Sequence, residues 1–136
     1  MELNEAISVA ASGLTAQSTR LRIISENLAN ADSTSETPGG TPYQRKLITF
    51  QGVLDRHIGA ITPKAGDVLT VGGTFERRLD PTNPGADADG YVQLPNVNPL
   101  IELMDMKDAQ QTYQANLNVI DAAKAMISHT LDLMRS

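Results

Sequence analysis

Apolar side chains recur at alternating steps of three and four residues at both ends of this chain, and this heptad spacing limits what it can fold into. In the N-terminal segment the pattern occupies Leu3, Ile7, Ala10, Leu14, Gln17, Leu21, Ile24 and Leu28. In the C-terminal segment it occupies Leu103, Met106, Gln110, Tyr113, Leu117, Ile120, Lys124, Ile127, Leu131 and Met134. Such spacing, kept over about four heptads, is typical of coiled-coil helices. We therefore expect two long helices that pair through these seams.

The fold class is predicted to be mainly α with a small β insertion. The last helix has a clear start, because Asn98 can cap it and Pro99 suits its first turn. Residues 1–31 and 98–136 form one inner, paired-helix domain in this prediction. Its two helices are expected to lie antiparallel as a coiled coil, since the residues between them can leave and return as a simple excursion.

The segment 32–97 is predicted to be a loop and β-hairpin insertion. It opens with the turn-rich "ADSTSETPGGTPY", which we expect to be mobile and tolerant of substitution. The stretch "QRKLITFQGVL" contains β-branched and aromatic residues and predicts a strand, and "YVQLP" predicts another. The stretch "DVLTVGGTFERRL" predicts a hairpin of two short strands that turns at Gly72 and Gly73.

The composition gives little material for a compact core, because 40% of the residues are hydrophobic but only 4% are aromatic and none is Trp. The apolar residues crowd at the two ends, so we expect a slender molecule or one that completes its core with neighbours. A net charge of -5 argues against a nucleic-acid or membrane-surface protein. The lack of cysteine excludes a disulfide scaffold, a Cys-ligated zinc site and thiol catalysis.

The N-terminal stretch "MELNEAISVAASGL" does not have the pattern of a secretory signal. It carries two Glu where a positive region is required, and its apolar residues are spaced rather than continuous. We therefore predict no cleavable secretory signal.

No catalytic or metal site is predicted. The "DADG" stretch at 87–90 invites a calcium interpretation, but an EF-hand alignment puts Gly85 and Asn96 at the two key ligand positions, so an Asp/Gly turn is favoured. His57 and His129 are the only histidines, and neither has a nucleophile or acid at a recognisable spacing. We predict that the protein is not an enzyme and needs no cofactor.

The N-terminal seam ends in "ENLANADS", in which Asn27 and Asn30 lie one helical turn apart. An amide side chain at a helix end can bond the last carbonyls and the turn beyond. We expect both asparagines to end the helix in this way, and we favour this local role over a direct contact between subunits.

Three motifs follow one another along the chain: Asn27, Leu28, Ala29 and Asn30; then Gly90, Tyr91, Val92, Pro95, Asn96 and Val97; then Tyr113, Gln114, Ala115 and Asn116. In this order they resemble the axial proteins of the bacterial flagellum, which include the rod, hook and hook-associated proteins. Within that group the chain is most similar to the proximal-rod proteins, in motifs and in length. The resemblance covers both termini and residues 80–100, and is slight over 50–80.

The resemblance implies a structural subunit of the flagellar basal-body rod, the drive shaft that crosses the periplasm and transmits torque. It also implies export by the flagellar type III apparatus. The implied partners are further copies in a helical assembly, other rod proteins of the FlgB and FlgF types, distal-rod proteins and a FliE-type adaptor. Neither a nucleic acid nor a small-molecule substrate is implied.

The large seam residues are the predicted assembly interface, namely Leu3, Ile7, Leu14, Leu21, Ile24, Leu28, Leu103, Met106, Tyr113, Leu117, Ile120, Ile127 and Leu131. The alternative function is a soluble coiled-coil adaptor or export chaperone that binds a helix of its client. Such an adaptor would explain the heptads but not the ordered motifs.

Overall fold

A computed structural model describes residues 2–136 of the chain. The elements in chain order are α1 (Leu3–Ala29), β1 (Lys46–Asp55), β2 (Ala60–Thr70), β3 (Arg77–Leu79), β4 (Tyr91–Gln93) and α2 (Pro99–Arg135). The two predicted long helices and the small strand region between them are confirmed. Neither helix has an apolar stretch suited to crossing a membrane.

The start of α2 agrees with the sequence. Asn98 precedes the helix, and its side-chain Oδ1 accepts a hydrogen bond of 3.0 Å from the backbone N–H of Leu100. Pro99 is the first helical residue, where its missing N–H leaves no donor unsatisfied. The predicted cap is therefore confirmed.

The strands form two separate two-stranded sheets, one of β1 and β2 and one of β3 and β4. In the second sheet the strands are antiparallel, with Arg77 opposite Gln93 and Leu79 opposite Tyr91. The strands predicted in "QRKLITFQGVL" and "YVQLP" are confirmed as β1 and β4.

The predicted hairpin turn at Gly72 and Gly73 is wrong. These glycines lie between β2 and β3, which pair with different strands. The true hairpin turn follows Asp55, whose carbonyl accepts a bond of 2.8 Å from the N–H of Gly59 at φ 68. The first half of β2 was not predicted. It contains Pro63, and proline normally argues against a strand. A two-stranded sheet has free edges that tolerate it.

The chain divides into two compact units, and each contains parts of both helices. Unit 1 holds α1 through Leu21, the residues Thr49–Asp67 and the residues Lys107–Ser136. Unit 2 holds the residues Arg22–Ile48 and Val68–Met106.

In unit 1 the two helices run antiparallel. Gly13 of α1 lies against the side chain of Asn116, and Arg20 further along α1 forms an ion pair of 3.0 Å with Asp108. The buried apolar residues of this unit are all alanines, namely Ala10, Ala16, Ala109 and Ala123. A coiled coil along the full length of both helices stays a prediction.

Unit 2 buries larger apolar side chains and has more side-chain hydrogen bonds between residues distant in sequence. Ile23, Ile24 and Val92 are its buried apolar residues. The loop expected to be mobile belongs to this unit, and it is tied to the 83–85 segment. Thr34 bonds the Asn83 side chain at 3.1 Å, and the N–H of Gly39 donates to the carbonyl of Gly85 at 3.3 Å.

Candidate functional site

On the inward face of α1, some buried residues belong to the predicted seam and others lie one position before a seam residue. Ala10 and Ile24 are buried as predicted. The other buried positions, Gly13, Ala16, Ile23 and Asn27, each lie one residue before a predicted seam position. Of the seam residues that follow Gly13 and Asn27, Leu14 and Leu28 are only half-buried. Gly13 and Ala10 leave room for a close neighbour, which a leucine in that row would occupy.

The inward face of α2 shows the same one-residue difference. Glu102, Ala109 and Ala123 are buried, at exposures of 0%, 0% and 4%. Their C-terminal neighbours in the predicted seam, Leu103, Gln110 and Lys124, are exposed. The two polar breaks in the predicted C-terminal seam are therefore surface residues.

The predicted assembly residues fall into three groups by exposure. Ile24 alone is buried, and Leu103 and Leu131 are exposed. The remaining ten are half-buried, namely Leu3, Ile7, Leu14, Leu21, Leu28, Met106, Tyr113, Leu117, Ile120 and Ile127. Twelve of these thirteen residues thus keep part of their side-chain surface open to a neighbour.

Asn27 is 1% exposed and uses the full hydrogen-bonding capacity of its amide. Its Oδ1 accepts from the hydroxyl of Tyr43 at 2.7 Å and from the backbone N–H of Lys46 at 2.9 Å. Its Nδ2 donates to the carbonyl of Lys46 at 2.8 Å and to the carboxylate of Glu102 at 3.2 Å. One side chain therefore holds both backbone groups of the first residue of β1 and also reaches α2.

This role of Asn27 was not predicted. The expectation that both asparagines end the helix locally is wrong for Asn27, whose partners lie 19 and 75 residues away in sequence. It is confirmed for Asn30, whose Nδ2 donates to the carbonyl of Glu26 at 2.8 Å. Sequence spacing could place both amides on one face, but not show which face meets the rest of the chain.

Glu102 is fully buried, and a cation balances its charge. The guanidinium Nε of Arg45 donates to Glu102 Oε1, and Arg45 Nη2 donates to Asp105 Oδ2 at 3.2 Å. Glu102 Oε2 accepts from Asn27. A buried carboxylate without partners would be strongly destabilising, so these contacts are what make its burial possible. The sequence pattern gave no signal for Glu102 and Arg45.

Asn96 closes the base of the β1–β2 hairpin. Its Oδ1 accepts from the N–H of Arg45 at 2.8 Å, and its Nδ2 donates to the carbonyl of Val71 at 2.8 Å. The N–H of Val71 donates to the carbonyl of Arg45 at 2.8 Å. Arg45 immediately precedes β1 and Val71 immediately follows β2, so the Asn27 and Asn96 motifs meet at the same point of the chain.

Tyr43 lies among acidic groups of this cluster. Burial raises the pKa of its hydroxyl above the ordinary value of 10.0, and the negative charges of Glu26 and Glu102 raise the pKa further. The ammonium of Lys46 lies 5.7 Å from the centre of the ring and 3.4 Å from the Glu26 carboxylate. Tyr43 therefore remains a hydroxyl donor to Asn27 at neutral pH.

The second motif is built on a turn that Asp87 organises. Asp87 Oδ1 accepts from the N–H groups of Asp89 and Tyr91 at 2.9 and 3.0 Å, and its Oδ2 accepts from Arg77 at 2.7 Å. The bond from the Tyr91 N–H is the largest of the effects that lower the pKa of Asp87. Gly90 adopts a φ of 84 in this turn.

The motif residues around this turn divide by exposure. Val92 and Pro95 are buried, and Val97 is half-buried. Tyr91 is 38% exposed, with the Arg77 guanidinium 4.7 Å from its ring centre. Val92 and Pro95 therefore pack inside unit 2, whereas Tyr91 remains partly exposed.

The third motif lies in the middle of α2. Tyr113 and Asn116 are half-buried, whereas Gln114 and Ala115 are exposed. The Gln114 side chain donates to Asn118 at 3.0 Å along the helix surface. In the first motif Ala29 is likewise exposed. Each helical motif therefore has a face directed into its own unit and a face open to solvent.

No metal-binding group was found among residues 2–136, where no three acidic or histidine side chains converge. The "DADG" aspartates are used in the turn or exposed.

Comparison with known proteins places these motifs in a family. Residues 7–35 match the flagella basal body rod protein family, and residues 88–133 match the C-terminal family of flagellar basal body rod FlgEFG proteins. The chain is similar to the flagellar basal-body rod protein FlgC of Agrobacterium fabrum, with 47% identity over 98% of this chain and 96% of the relative. The FlgC protein of Escherichia coli O157:H7 is 41% identical over 98% of both chains. That of Bacillus subtilis is 35% identical over 93% of this chain and 95% of the relative. The chain belongs to the FlgC family of flagellar basal-body rod proteins.

Proposed function

We propose that this chain is a structural subunit of the proximal rod of the bacterial flagellar basal body and that it carries torque by close packing with its neighbours. It packs with further copies in a helical assembly and with rod proteins of the FlgB, FlgF and distal-rod types, and it meets a FliE-type adaptor. Family membership and the distribution of apolar surface support this function.

The exposed apolar surface of α2 is the observation that carries the proposal. Nine large apolar side chains of this one helix are exposed: Leu100, Ile101, Leu103, Met104, Val119, Met126, Leu131, Leu133 and Met134. Covering the open half of one such side chain contributes about 1 kcal/mol. A subunit with several of them gains substantial lateral adhesion when neighbours cover them, and a stiff shaft requires such adhesion.

The small residues on the inward faces of the helices support the same function. Because glycine and alanine line the helix pair in unit 1, the leucines are left for contacts outside the subunit. In this proposal residues 1–31 and 98–136 form the inner domain as an antiparallel coiled coil, and residues 32–97 form an insertion. The seam residues predicted from the heptads contribute the contacts between subunits.

The chain reaches the periplasm through the flagellar type III export apparatus in this proposal. Membership of the basal-body rod family supports this route. The final location of the chain is the rod of the basal body.

The proposal is tested in a strain that lacks this chain and is complemented with variants. We expect the wild-type chain to restore hooks and filaments and to be recovered in purified basal bodies. Leu103→Asp should be exported but absent from basal bodies, because the exposed side chain contributes to assembly rather than to the fold. Gln110→Asp, at an exposed polar position of the same helix, is the matched control and should assemble normally.

Recovery of the wild-type chain only from soluble complexes with a client, and never from basal bodies, would contradict the proposal. That result is expected of the alternative, a soluble adaptor or export chaperone.

A further inference from the structure

We propose that Asn27 and Asn96 are positioning residues that anchor the base of the β1–β2 hairpin. Rod assembly then depends on a neutral amide at one of positions 27 and 102 and a carboxylate at the other. The inference deepens the proposed function, on which it rests, by naming the residues that prepare the subunit for assembly. The motifs that contain Asn27 and Asn96 are far apart in sequence, and in this proposal they have the same structural role.

Two side-chain amides bond the backbone at the base of the β1–β2 hairpin. Asn27 bonds both the N–H and the C=O of Lys46, as a neighbouring strand would. Asn96 bonds the N–H of Arg45 and the C=O of Val71, and the N–H of Val71 donates to the C=O of Arg45. Two side-chain amides therefore satisfy the backbone at the point where the chain enters and leaves the hairpin. Without them these polar groups would lose their partners in a partly buried site, which is costly.

The negative charge of Glu102 limits which side chain can occupy position 27. Asn27 must donate to Glu102, because Glu102 Oε1 already accepts from Arg45 and its Oε2 faces the Asn27 amide. Lys46 also presents its carbonyl to the same Nδ2. An aspartate at position 27 would retain the acceptor for Tyr43 and Lys46 N–H. It would lose both donors and would place a second carboxylate beside the first, where like charges repel strongly.

The donor and the acceptor in the contact between residues 27 and 102 can be exchanged. In the double variant Asn27→Asp/Glu102→Gln, the amide of residue 102 can donate to the new carboxylate. Positions 27 and 102 together again carry one negative charge, and Arg45 keeps its contact with Asp105, so the charge of the cluster is unchanged. The carbonyl of Lys46 still lacks its partner, so we expect recovery to be partial.

The test measures hooks per cell and the amount of the chain in purified basal bodies for the two single variants and the double variant. We expect Asn27→Asp to reduce both by roughly tenfold or more, and Glu102→Gln to reduce them less. The double variant should exceed Asn27→Asp by at least about threefold, since interacting sites are not additive. Asn118→Asp makes the same chemical change at an exposed site of α2 and should behave as wild type.

Normal hook numbers in Asn27→Asp would overturn the anchor. A double variant no better than Asn27→Asp would overturn the charge coupling, and so would a loss of assembly in Asn118→Asp. If Asn27→Asp is degraded in cells, the abundance of the chain replaces hook number as the measure, and the double variant must restore it. Failure of the proposed function is separate, because it would appear as absence of the wild-type chain from basal bodies.

Discussion

Gly13 of α1 lies so close to Asn116 of α2 that a Cβ atom on Gly13 would be 2.6 Å from Asn116 Nδ2 and 3.0 Å from its Cγ. This contact shows why the inward face of the pair in unit 1 is made of small residues. A leucine in that row would hold the two backbones further apart.

We predict that Gly13→Ala lowers the free energy of unfolding of the purified chain by about 1 kcal/mol, because crowding against Asn116 outweighs the gain in helix propensity. The double variant Gly13→Ala/Asn116→Ala removes the crowding and should be at least as stable as wild type. Urea unfolding followed by helical circular dichroism measures both. A single variant more stable than wild type would show that Asn116 moves aside without cost.

We predict that Leu117→Asp prevents assembly while the chain is still exported. Leu117 is half-buried beside the inward row of α2, where a charge in a dry interface between subunits would cost several kcal/mol, on the order of the penalty for an unpaired buried charge. Cells carrying the variant should lack hooks and filaments and should not swim. Asn118→Asp, at the adjacent exposed position, is the control and should swim normally. Normal flagella in the Leu117→Asp strain would contradict the paired-helix assembly.

We predict that Gly85→Ala is destabilising, although it lies in a loop. A Cβ atom there would be 2.2 Å from the backbone carbonyl oxygen of Ser35, and backbone atoms cannot rotate away. The cost is expected to be about 1–3 kcal/mol, as for an overpacked site. Thermal unfolding should detect it, with Gly72→Ala as the control, because no atom lies within 4 Å of a Cβ at Gly72.

The structure also revises the expected tolerance of the 32–42 loop. Replacing Ser33, Thr34 and Ser35 with glycine removes the Thr34 contact with Asn83 and the bond of 2.9 Å from Ser33 to the carbonyl of Asn30. We now expect reduced motility from this triple variant, which a swim-plate assay measures. Wild-type swimming of the triple variant would instead agree with the tolerance that the sequence alone predicts for this loop.

We predict an acid-sensitive contribution from Asp87. Hydrogen bonds from Tyr91 N–H, Asp89 N–H and Arg77 lower its pKa below the ordinary value of 3.8. Because the folded state holds the ionised form more tightly than the unfolded chain, this contribution is fully present above the ordinary pKa. It is lost as the pH falls through the lowered pKa. The free energy of unfolding of Asp87→Asn should therefore depend less steeply on pH in this range than that of wild type.

The same contacts rank the expected effects of substitutions in the 87–91 turn. Asp87→Ser should impair assembly, since it removes three hydrogen bonds, whereas Asp89→Ser should not, because Asp89 contributes only its backbone N–H. Tyr91→Ser should also impair assembly through loss of the partly exposed ring beside Arg77. Hook counts rank the three variants. Equal defects in Asp87→Ser and Asp89→Ser would contradict this account of the turn.

The sequence by itself determined the elements whose signals are local. Heptad spacing marked both helices, and Asn98 with Pro99 marked where α2 begins. Strands β1 and β4 followed from composition and flanking turn residues. The ordered motifs were enough to indicate the flagellar family, because three short patterns in one order are far more specific than any one of them.

Only the tertiary structure decided which residues of each heptad face inward and what Asn27 contacts. Hydrophobicity alone favours Leu14 and Leu103 as inward-facing residues. In unit 1 the close approach of the two helices favours the small residues Gly13 and Ala109 instead. In unit 2 the ion pair with Arg45 permits Glu102 to be buried. Size complementarity and charge compensation depend on residues brought together from distant parts of the chain. Periodicity along one segment cannot report such partners, and this is the physical reason why several inward-facing residues lie one position before the predicted seam.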